Sequence, residues 1–480
     1  MRKPCPLRSA ARRSPEAPAI VGAGGTLTFV ELDQRVSVAA ARIGDLSLGA
    51  GDRVALYLPK DEGYLVLLLA LIRAGCVACL LSTRLPPRGA APLPERIGCC
   101  ALISSSGEIL EMTGVRVLRP EDVLSGEVAR DLPQSVEELW LAPDLPATVV
   151  FTSGSAGAPK AALHTLGNHY FSAEGSNANI TPAPGDRWLH SLPLYHVGGL
   201  SILFRCLLAG ATVVLPEAGA PLGGAIADRG ATHVSLVSTQ LLRLLREEGF
   251  EGHRLKAILL GGGPIPASLL DEAAGRGLPI HTSYGLTEMS SQVTTTPPGA
   301  SRKELRTSGR PLPHREVTLS GEGEILVRGE TLFAGYVEGG AVDRPLDADG
   351  WFHTGDLGDL DASGSLRVQG RKDNLFVSGG ENIQPEEVEE VLSGLEGVEE
   401  TVVVPVPDPE FGERPVAFVR IPDGIVEPET MKRALEKVLP RFKIPVSLYP
   451  WPDEASSAGM KVDRAFFRGR ARRLSSDRGS

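Results

Sequence analysis

The chain has 480 residues, more than one hydrophobic core accommodates, so its length favours about three domain-sized units. Hydrophobic residues make up 42% and charged residues 22%, which is ordinary for a globular protein in water. The formal net charge of −10 argues against a broad nucleic-acid-binding surface, so an anionic substrate must be held by local positive groups.

Apolar, β-prone runs alternate with helical patterns along the first half of the chain. In chain order we predict a strand over Arg53–Leu58, a helix over Gly63–Ala74, and strands over Cys76–Leu81, Ala147–Phe151, Arg187–Leu192, Ala211–Leu215, His233–Val237 and Lys256–Leu260. This alternation predicts an α/β fold with parallel sheets covered by helices. Ligands of such folds bind at the carboxyl ends of the strands. The longest apolar stretch contains Arg73, so no membrane span is predicted.

The pattern changes after Gly350, where short strands and turns are predicted up to Gln369. A compact α+β unit follows Arg371, with a helix opening at Pro385, strands over Glu400–Val404 and Pro415–Arg420, and a helix over Glu427–Val438. We therefore divide the chain into residues 1–371 and 372–480. The basic tail, Arg468–Arg473, is predicted to be a solvated end.

Six cysteines are scattered along the chain, and Cys76 and Cys79 have the spacing of a zinc or redox pair. No second Cys or His pair stands nearby, so we interpret both as small buried apolar residues. Cys99 and Cys100 receive the same interpretation. Unpaired cysteines fit a reducing cytoplasm.

A loop rich in Ser and Gly follows the strand Ala147–Phe151 and ends at Lys160. Glycine permits close approach of the backbone, and hydroxyl groups and Lys supply further donors, so such a loop can surround phosphate oxygens. It is not a Walker A loop, because Ala158 and Pro159 stand between Gly157 and Lys160. Taken alone, the loop could also be an ordinary turn after a strand.

Four further segments carry clusters of residue types suited to nucleotide chemistry. They are Ser283-Tyr-Gly-Leu-Thr-Glu288, Trp351-Phe-His-Thr-Gly-Asp356, Gly370-Arg-Lys-Asp-Asn374 running into Val377–Ile383, and Gly459-Met-Lys-Val-Asp-Arg464. With the loop, they resemble the five signature motifs of the adenylate-forming superfamily, which includes acyl-CoA synthetases, peptide-synthetase adenylation domains and luciferases. The resemblance implies a large N-terminal domain of parallel sheets flanked by helices plus a small β-subdomain, with a mobile α+β C-terminal domain.

The resemblance also implies ATP, Mg²⁺ and coenzyme A, the last as a substrate. Adenylation of a carboxylate requires that the triphosphate be held and that charge on the α-phosphate be offset. The residues that match the family's triphosphate-binding positions are Thr152, Ser153, Gly154 and Lys160. Glu288 is the expected Mg²⁺ ligand, because carboxylate oxygen is a hard donor, and Thr287 is expected to bond the α-phosphate.

The nucleoside is expected to bind between two glycine-containing turns. The positions that resemble the family's adenine slot are Gly261, Gly262, Gly263, Ser283, Tyr284 and Gly285, with Tyr284 against the ring. Asp356 resembles the ribose-binding aspartate of the family, and Arg371 is expected to assist it.

The C-terminal segment is expected to supply the catalytic cation and the hinge. Lys461 resembles the lysine that bridges the attacking carboxylate and the α-phosphate, although Met460 stands where many relatives have Gly. Asp373 matches the family hinge, and Gly379 and Gly380 are expected to line the coenzyme A channel.

Longer matches narrow the resemblance to the o-succinylbenzoate–CoA ligases of menaquinone synthesis. They are Ser191–Gly199, Val237–Leu245, Leu259–Pro266, Asp373–Glu389 and Val404–Ala417. The substrate implied is an aryl dicarboxylate, and the alternative is another aryl or acyl acid.

Arg205 supports the dicarboxylate on independent grounds. It is the only charge in the predicted apolar helix Gly198–Leu208, just past His196, and a buried Arg requires a partner. That partner is either a substrate carboxylate or an acid of the protein itself. His196 resembles the residue that gates the family's acyl pocket, and its alternative is a core histidine.

The sequence is also compatible with three other functions: a ligase for a different acid, an adenylation domain that loads a carrier protein, and an inactive homologue with a binding or regulatory role. The presence of Lys160, Glu288, Asp356 and Lys461 argues against the last. We expect no nucleic-acid partner, and a homo-oligomer is left open.

Overall fold

The computed structural model describes residues 2–125, 138–152, 159–421, 427–457 and 462–476. Ser153, Gly154 and Lys461, three of the predicted site residues, lie outside these ranges. None of the helices in the described ranges combines the length and hydropathy that a bilayer span requires.

The helices are α1 Pro6–Arg13, α2 Phe29–Asp45, α3 Glu62–Arg73, α4 Pro87–Ala90, α5 Pro92–Arg96, α6 Gly107–Leu110, α7 Pro120–Leu124, α8 Leu166–Ile180, α9 Val197–Ala209, α10 Leu222–Asp228, α11 Ser238–Arg246, α12 Ala267–Gly275, α13 Arg302–Leu305, α14 Pro385–Ser393, α15 Pro428–Glu436 and α16 Arg464–Ser476. Single 3₁₀ turns occur at Thr287–Met289, Lys372–Asn374, Arg441–Lys443 and Asp453–Ser457.

The strands are β1 Lys3–Pro4, β2 Pro18–Gly22, β3 Gly25–Thr28, β4 Arg53–Tyr57, β5 Val77–Leu80, β6 Ala101–Ser104, β7 Arg116–Leu118, β8 Trp140–Leu141, β9 Pro146–Thr152, β10 Lys160–Thr165, β11 Arg187–Leu189, β12 Thr212–Val214, β13 His233–Leu236, β14 Ala257–Leu260, β15 Ile280–Leu286, β16 Ser291–Thr295, β17 Arg310–Pro311, β18 Glu316–Leu319, β19 Glu324–Arg328, β20 Gly335–Glu338, β21 Ala341–Asp343, β22 Phe352–Leu360, β23 Leu366–Arg371, β24 Phe376–Ser378, β25 Glu381–Ile383, β26 Glu400–Asp408, β27 Gly412–Arg420 and β28 Ser447–Pro450.

Two large sheets form the N-terminal part. The first has the order β21-β20-β10-β9-β5-β4-β6-β7, and its strands from β9 to β7 run parallel. The second has the order β17-β16-β15-β14-β13-β11-β12-β2-β3, and its strands from β15 to β2 run parallel. Antiparallel strands close one edge of the first sheet and both edges of the second. The predicted fold class is therefore confirmed.

Helices α3 and α9 are apolar nearly all round, and both are buried over most of their length. A helix that is apolar on every face requires cover on every side. Asp61 caps the start of α3 by accepting from the backbone N–H of Tyr64 at 2.8 Å. This burial places Arg205, the single charge of α9, in the protein interior.

A four-stranded antiparallel sheet, β18-β19-β22-β23, forms the small β-subdomain. The C-terminal part contains a separate sheet in which β28 joins β27. The predicted boundary falls at the end of β23, and it stays a prediction, as does the mobility of the C-terminal domain.

Two local predictions are wrong. Arg468–Arg473 belongs to helix α16, whose Phe467 and Ala471 are buried against the C-terminal sheet, because one apolar stripe is enough to dock a basic helix. Cys100 is exposed, whereas Cys76, Cys79 and Cys99 are buried as predicted.

A buried ion pair links α16 to α14. The guanidinium of Arg464 donates to both carboxylate oxygens of Glu389, at 2.6 and 2.7 Å, and to Glu386 at 3.2 Å. Glu389 also accepts from the backbone N–H of Val403 at 2.6 Å. The pair therefore joins two helices and a strand of the C-terminal domain.

We predict that Glu389→Ala lowers the free energy of unfolding by about 3–5 kcal/mol, because it leaves the Arg464 charge buried without its main partner. Glu454→Ala is the matched control, since Glu454 is exposed and lies 4.0 Å from Arg470 of the same helix. We expect that control to change stability by less than about 1 kcal/mol. Urea unfolding of both variants provides the measurement, and equal effects would contradict the prediction.

Candidate functional site

The predicted phosphate-binding residues lie at the junction of β9 and β10. Thr152 ends β9, Lys160 begins β10, and the two are Cα partners in the antiparallel register. The Lys160 ammonium is exposed and lies 4.9 Å from the ring centre of Tyr336. Among the described residues no carboxylate forms an ion pair with Lys160, so its charge is available to an anion.

Glu288 is held by two contacts from the segment that leads into β20. Its backbone carbonyl accepts from the N–H of Phe333 at 2.8 Å. Its Oε1 accepts from the hydroxyl of Tyr336 at 2.5 Å. Within the described ranges the other carboxylate oxygen, Oε2, has no hydrogen bond or ion pair. This half-buried oxygen donor fits a hard cation such as Mg²⁺.

Thr287 is positioned by His164, which lies on β10 in the other large sheet. The His164 ring is fully buried, and its Nε2 donates to the Thr287 carbonyl at 2.7 Å. A carbonyl can only accept, so Nε2 carries the proton. Burial lowers the pKa of His164 to about 4, and the ring is neutral at physiological pH.

The predicted ribose-binding residues meet on β22 and β23. Asp356 and Arg371 are Cα partners, and Arg371 Nη1 donates to Asp356 Oδ1 at 2.9 Å. The hydroxyl of Tyr284 donates to Asp356 Oδ2 at 2.6 Å. Burial, reinforced by the charge of Asp356, raises the pKa of Tyr284. The structure therefore brings residues from three separate motifs into one cluster.

The predicted adenine-slot glycines lie where β14 and β15 end side by side. A Cβ on Gly261 would stand 2.8 Å from Ser283 Oγ, and Ser283 Oγ itself donates to the Leu260 carbonyl at 3.0 Å. A Cβ on Gly285 would stand 2.1 Å from the Ser291 carbonyl. Gly262 has a φ of +88° and, like Gly263, is exposed. A backbone carbonyl therefore requires glycine at 285, and a side-chain hydroxyl leaves little room for a Cβ at 261.

Arg205 is only 1% exposed, yet the protein leaves most of its guanidinium unpaired. Nη2 donates to Ser291 Oγ at 3.1 Å, and the group lies 5.3 Å from the ring centre of Trp188. Among the described residues, Nε and Nη1 have no hydrogen-bond partner, and no carboxylate forms an ion pair with Arg205. Burial lowers the pKa of Arg205 to about 9.

A second buried arginine, Arg315, provides the contrast. All three of its guanidinium nitrogens donate to protein oxygens, of Gln292, of Pro313 and of Ser172. Burial, with a smaller contribution from the charge of Arg205, lowers the pKa of Arg315 to about 9. The fold therefore pairs all three guanidinium nitrogens of Arg315. Among the described residues, Nε and Nη1 of Arg205 stay unpaired and can donate to a ligand.

The remaining predicted residues are spread over the structure. His196 is the N-cap residue of α9 and is half-buried, with its ring 4.8 Å from that of Tyr195. Asp373 is exposed in the turn after β23, 3.8 Å from Arg371 Nη2. Gly379 and Gly380 connect β24 and β25, with φ values of +59° and +86°. Lys461 lies outside the described residues.

Four residues that shape this site were not indicated by any motif in the sequence: His164, Ser291, Arg315 and Tyr336. Each reaches its partner through tertiary contact, and none belongs to a recognisable motif. Arg315 is one of many arginines, and nothing in its neighbourhood predicts that it is buried.

The chain matches the AMP-binding enzyme family over residues 7–337 and the C-terminal domain of AMP-binding enzymes over residues 387–455. It is 34% identical to the 2-succinylbenzoate–CoA ligase of Bacillus licheniformis, an alignment that covers 92% of this chain and 95% of the relative. It is 33% identical to the 2-succinylbenzoate–CoA ligase of Oceanobacillus iheyensis, with 92% and 94% covered.

Solved structures of o-succinylbenzoate CoA synthetases are also similar to this chain. The o-succinylbenzoate CoA synthetase from Bacillus subtilis in complex with the acyl-adenylate intermediate superposes with a TM-score of 0.85 at 32% identity, covering 96% of this chain and 97% of that one. The complex of the Bacillus subtilis enzyme with ATP and magnesium ion gives a TM-score of 0.84 at 32% identity, with 94% and 96% covered.

We predict that His164 makes folding stability depend on pH. Its folded pKa of about 4 lies below the ordinary value, so the stability that the neutral ring contributes is complete above about pH 6.5 and is lost as the pH falls toward 4. In His164→Gln the amide retains a donor for Thr287 but does not titrate. Between about pH 7 and about pH 5, wild type should lose about 2 kcal/mol more unfolding free energy than His164→Gln.

Buried histidines that do not contact His164 titrate equally in both proteins, so they cancel in this comparison. His169, whose ring centre lies 5.2 Å from that of His164, has a pKa lowered mainly by burial, which both proteins share, and to a smaller extent by the His164 charge. Urea unfolding at the two pH values measures the difference. Parallel losses in the two proteins would show that His164 is not the group responsible.

Proposed function

The chain belongs to the AMP-binding enzyme family, and we propose that it ligates 2-succinylbenzoate to coenzyme A through an acyl-adenylate, with release of diphosphate and then AMP. It is an AMP-forming acid–thiol ligase, as are the curated relatives that cover most of its length. ATP and 2-succinylbenzoate are the substrates of the first step, and coenzyme A is the substrate of the second.

The unpaired guanidinium of Arg205 is the observation that favours a dicarboxylate as the substrate. An isolated buried charge is costly, and a carboxylate with charge-assisted hydrogen bonds is its best partner. The described residues contain no acid in that role. 2-Succinylbenzoate has two carboxylates, so one can be adenylated while the ring carboxylate pairs with Arg205. A fatty acid has no second carboxylate to offer.

In the first step, a carboxylate oxygen attacks the α-phosphorus of ATP, and the bond from that phosphorus to the bridging oxygen breaks. Lys160 and Thr152, with Ser153 and Gly154, hold the triphosphate, and Thr287 bonds the α-phosphate. Mg²⁺ bound by Glu288 offsets negative charge on the phosphates. Tyr284, Asp356 and Arg371 fix the nucleoside, and the slot residues Gly261–Gly263, Ser283 and Gly285 accommodate the adenine.

Lys461 is the proposed bridge between the attacking carboxylate and the α-phosphate. In the second step the thiolate of coenzyme A attacks the acyl carbon, the acyl–phosphate bond breaks, and AMP leaves. The C-terminal domain, which carries Lys461, must then move so that the thiol can reach the acyl carbon. We assign that movement to a hinge at Asp373 and the thiol channel to Gly379 and Gly380, with His196 at the entrance to the acyl pocket.

Diphosphate release across a panel of acids tests the function directly. The panel should include 2-succinylbenzoate, benzoate, 4-phenyl-4-oxobutanoate without the ring carboxylate, and a medium-chain fatty acid, each with and without coenzyme A. We expect 2-succinylbenzoate to give the highest kcat/KM. A preference for a monocarboxylate would favour the alternative, another aryl- or acyl-CoA ligase. A cytoplasmic location and the lack of a nucleic-acid partner stay predictions.

We predict that Arg205→Ala weakens binding of 2-succinylbenzoate by about 2–5 kcal/mol while the affinity for ATP stays near normal, because one charge-assisted pair is lost. The free energy of unfolding should fall less than in Arg315→Ala, since Arg205 donates one side-chain hydrogen bond to the described protein residues and Arg315 donates from all three guanidinium nitrogens. Arg315→Ala is the comparator and should unfold more readily, because it leaves buried carbonyls unpaired. Unchanged affinity of Arg205→Ala for 2-succinylbenzoate, measured by calorimetry, would refute the assignment.

We predict that Lys461→Ala and Asp373→Pro separate the two half-reactions in opposite directions. Lys461→Ala should block adenylation and spare thioester formation from supplied acyl-adenylate, because the α-phosphate is then already esterified.

Asp373→Pro fixes φ near −65° at the hinge, so it should retain adenylation within about tenfold and lose thioester formation. Rapid-quench assays of each half-reaction provide the measurement. A variant that loses both steps equally would contradict its assigned role.

A further inference from the structure

Tyr336 contacts two residues of the proposed ATP site and has no role in the chemistry described above. Its hydroxyl donates to Oε1 of Glu288 at 2.5 Å, and its ring centre lies 4.9 Å from Nζ of Lys160. The proposed metal ligand and the proposed phosphate-binding cation thus converge on one side chain, although they come from different motifs.

The strand register explains this placement. β20 pairs with β10 so that Tyr336 stands opposite Ala162, and Lys160 lies two residues before Ala162 on the same face. Ala162 has a small side chain, which leaves the ring room to extend toward Lys160. A diagonal neighbour in an antiparallel pair is within reach of an aromatic side chain.

A second aromatic ring contacts Tyr336. Phe333 packs edge-on against Tyr336, with ring centres 4.8 Å apart and an interplanar angle of 71°. The backbone N–H of the same Phe333 donates to the Glu288 carbonyl at 2.8 Å. The segment from Phe333 to Tyr336 therefore holds both the main chain and the side chain of Glu288.

From this geometry we infer that Tyr336 is a positioning residue for the metal and phosphate end of the ATP site. Its hydroxyl fixes the Glu288 carboxylate so that Oε2 faces Mg²⁺. Its ring lies against the Lys160 ammonium and holds it in position. The inference rests on the proposed adenylation chemistry and adds to it a residue that acts through Glu288 and Lys160.

The two contacts are separable by substitution. Tyr336→Phe removes the hydroxyl and keeps the ring against Lys160, whereas Tyr336→Leu removes both. Tyr57→Phe is the matched control, because Tyr57 lies in the same sheet and its buried hydroxyl donates to the Leu85 carbonyl at 2.9 Å, away from Glu288. Glu288→Gln marks the full loss of the metal ligand.

The measurement is the dissociation constant of ATP by calorimetry, once with excess Mg²⁺ and once with a chelator. The gain in affinity on adding Mg²⁺ is compared among the variants, and no turnover is required. We expect Tyr336→Phe to reduce that gain about five- to tenfold while its affinity in chelator stays at the wild-type value. Tyr336→Leu should in addition weaken ATP binding in chelator, and Tyr57→Phe should match wild type.

Tyr336→Phe combined with Glu288→Gln should show no smaller gain than Glu288→Gln alone, because the hydroxyl acts only through that carboxylate. A wild-type gain in Tyr336→Phe, with a lost gain in Glu288→Gln, would overturn the inference and leave the proposed function standing. A wild-type gain in Glu288→Gln would overturn both the metal role of Glu288 and the inference. If Tyr57→Phe reduced the Mg²⁺-dependent gain in ATP affinity as much as Tyr336→Phe, the effect would come from destabilisation of the sheet. That result would overturn the inference.

Discussion

The two halves of the proposed ATP site belong to different sheets, and a buried hydrogen bond joins them. Lys160 begins β10 in the first sheet, whereas Thr287 and Glu288 follow β15 in the second. The ring of His164, also on β10, donates to the Thr287 carbonyl inside the protein. An unpaired polar group there would be costly, so this contact specifies one relative position of the two strands. The chemistry requires that position, since phosphate and metal ligands must surround the same triphosphate.

The two buried arginines near Ser291 and Gln292 differ in how the protein pairs them. Arg315 and Arg205 are both buried, and each of the three guanidinium nitrogens of Arg315 donates to a protein oxygen. Among the described residues, Nε and Nη1 of Arg205 have no partner, in a chain whose net charge is −10. No acid of the described residues forms an ion pair with this guanidinium. If a substrate carboxylate pairs with it, as proposed, the free protein bears the cost of an unpaired buried charge until the ligand binds.

Hydrogen bonds connect the C-terminal domain to the proposed ribose site. Gln384 donates to the Arg371 carbonyl at 3.1 Å, and Asn374, beside the proposed hinge, donates to Glu386 at 2.6 Å. Glu386 in turn accepts from Arg464. A rotation at Asp373 has to break the first of these bonds. The pair between Arg464 and Glu389 lies entirely within the C-terminal domain, so the proposed rotation would leave it intact.

The sequence by itself determined the class of the fold, the order of strands and helices, and the positions of the motifs, because periodicity and short motifs are local properties of the chain. It also indicated that Arg205 requires a partner, since a single charge stands out in an apolar helix. Only the tertiary structure decided what surrounds that charge, which residue holds Glu288, and whether α16 docks. His164 lies 123 residues from Thr287, and Tyr336 lies 48 residues from Glu288. Such contacts are set by strand register and sheet order, and no pattern within either segment encodes them.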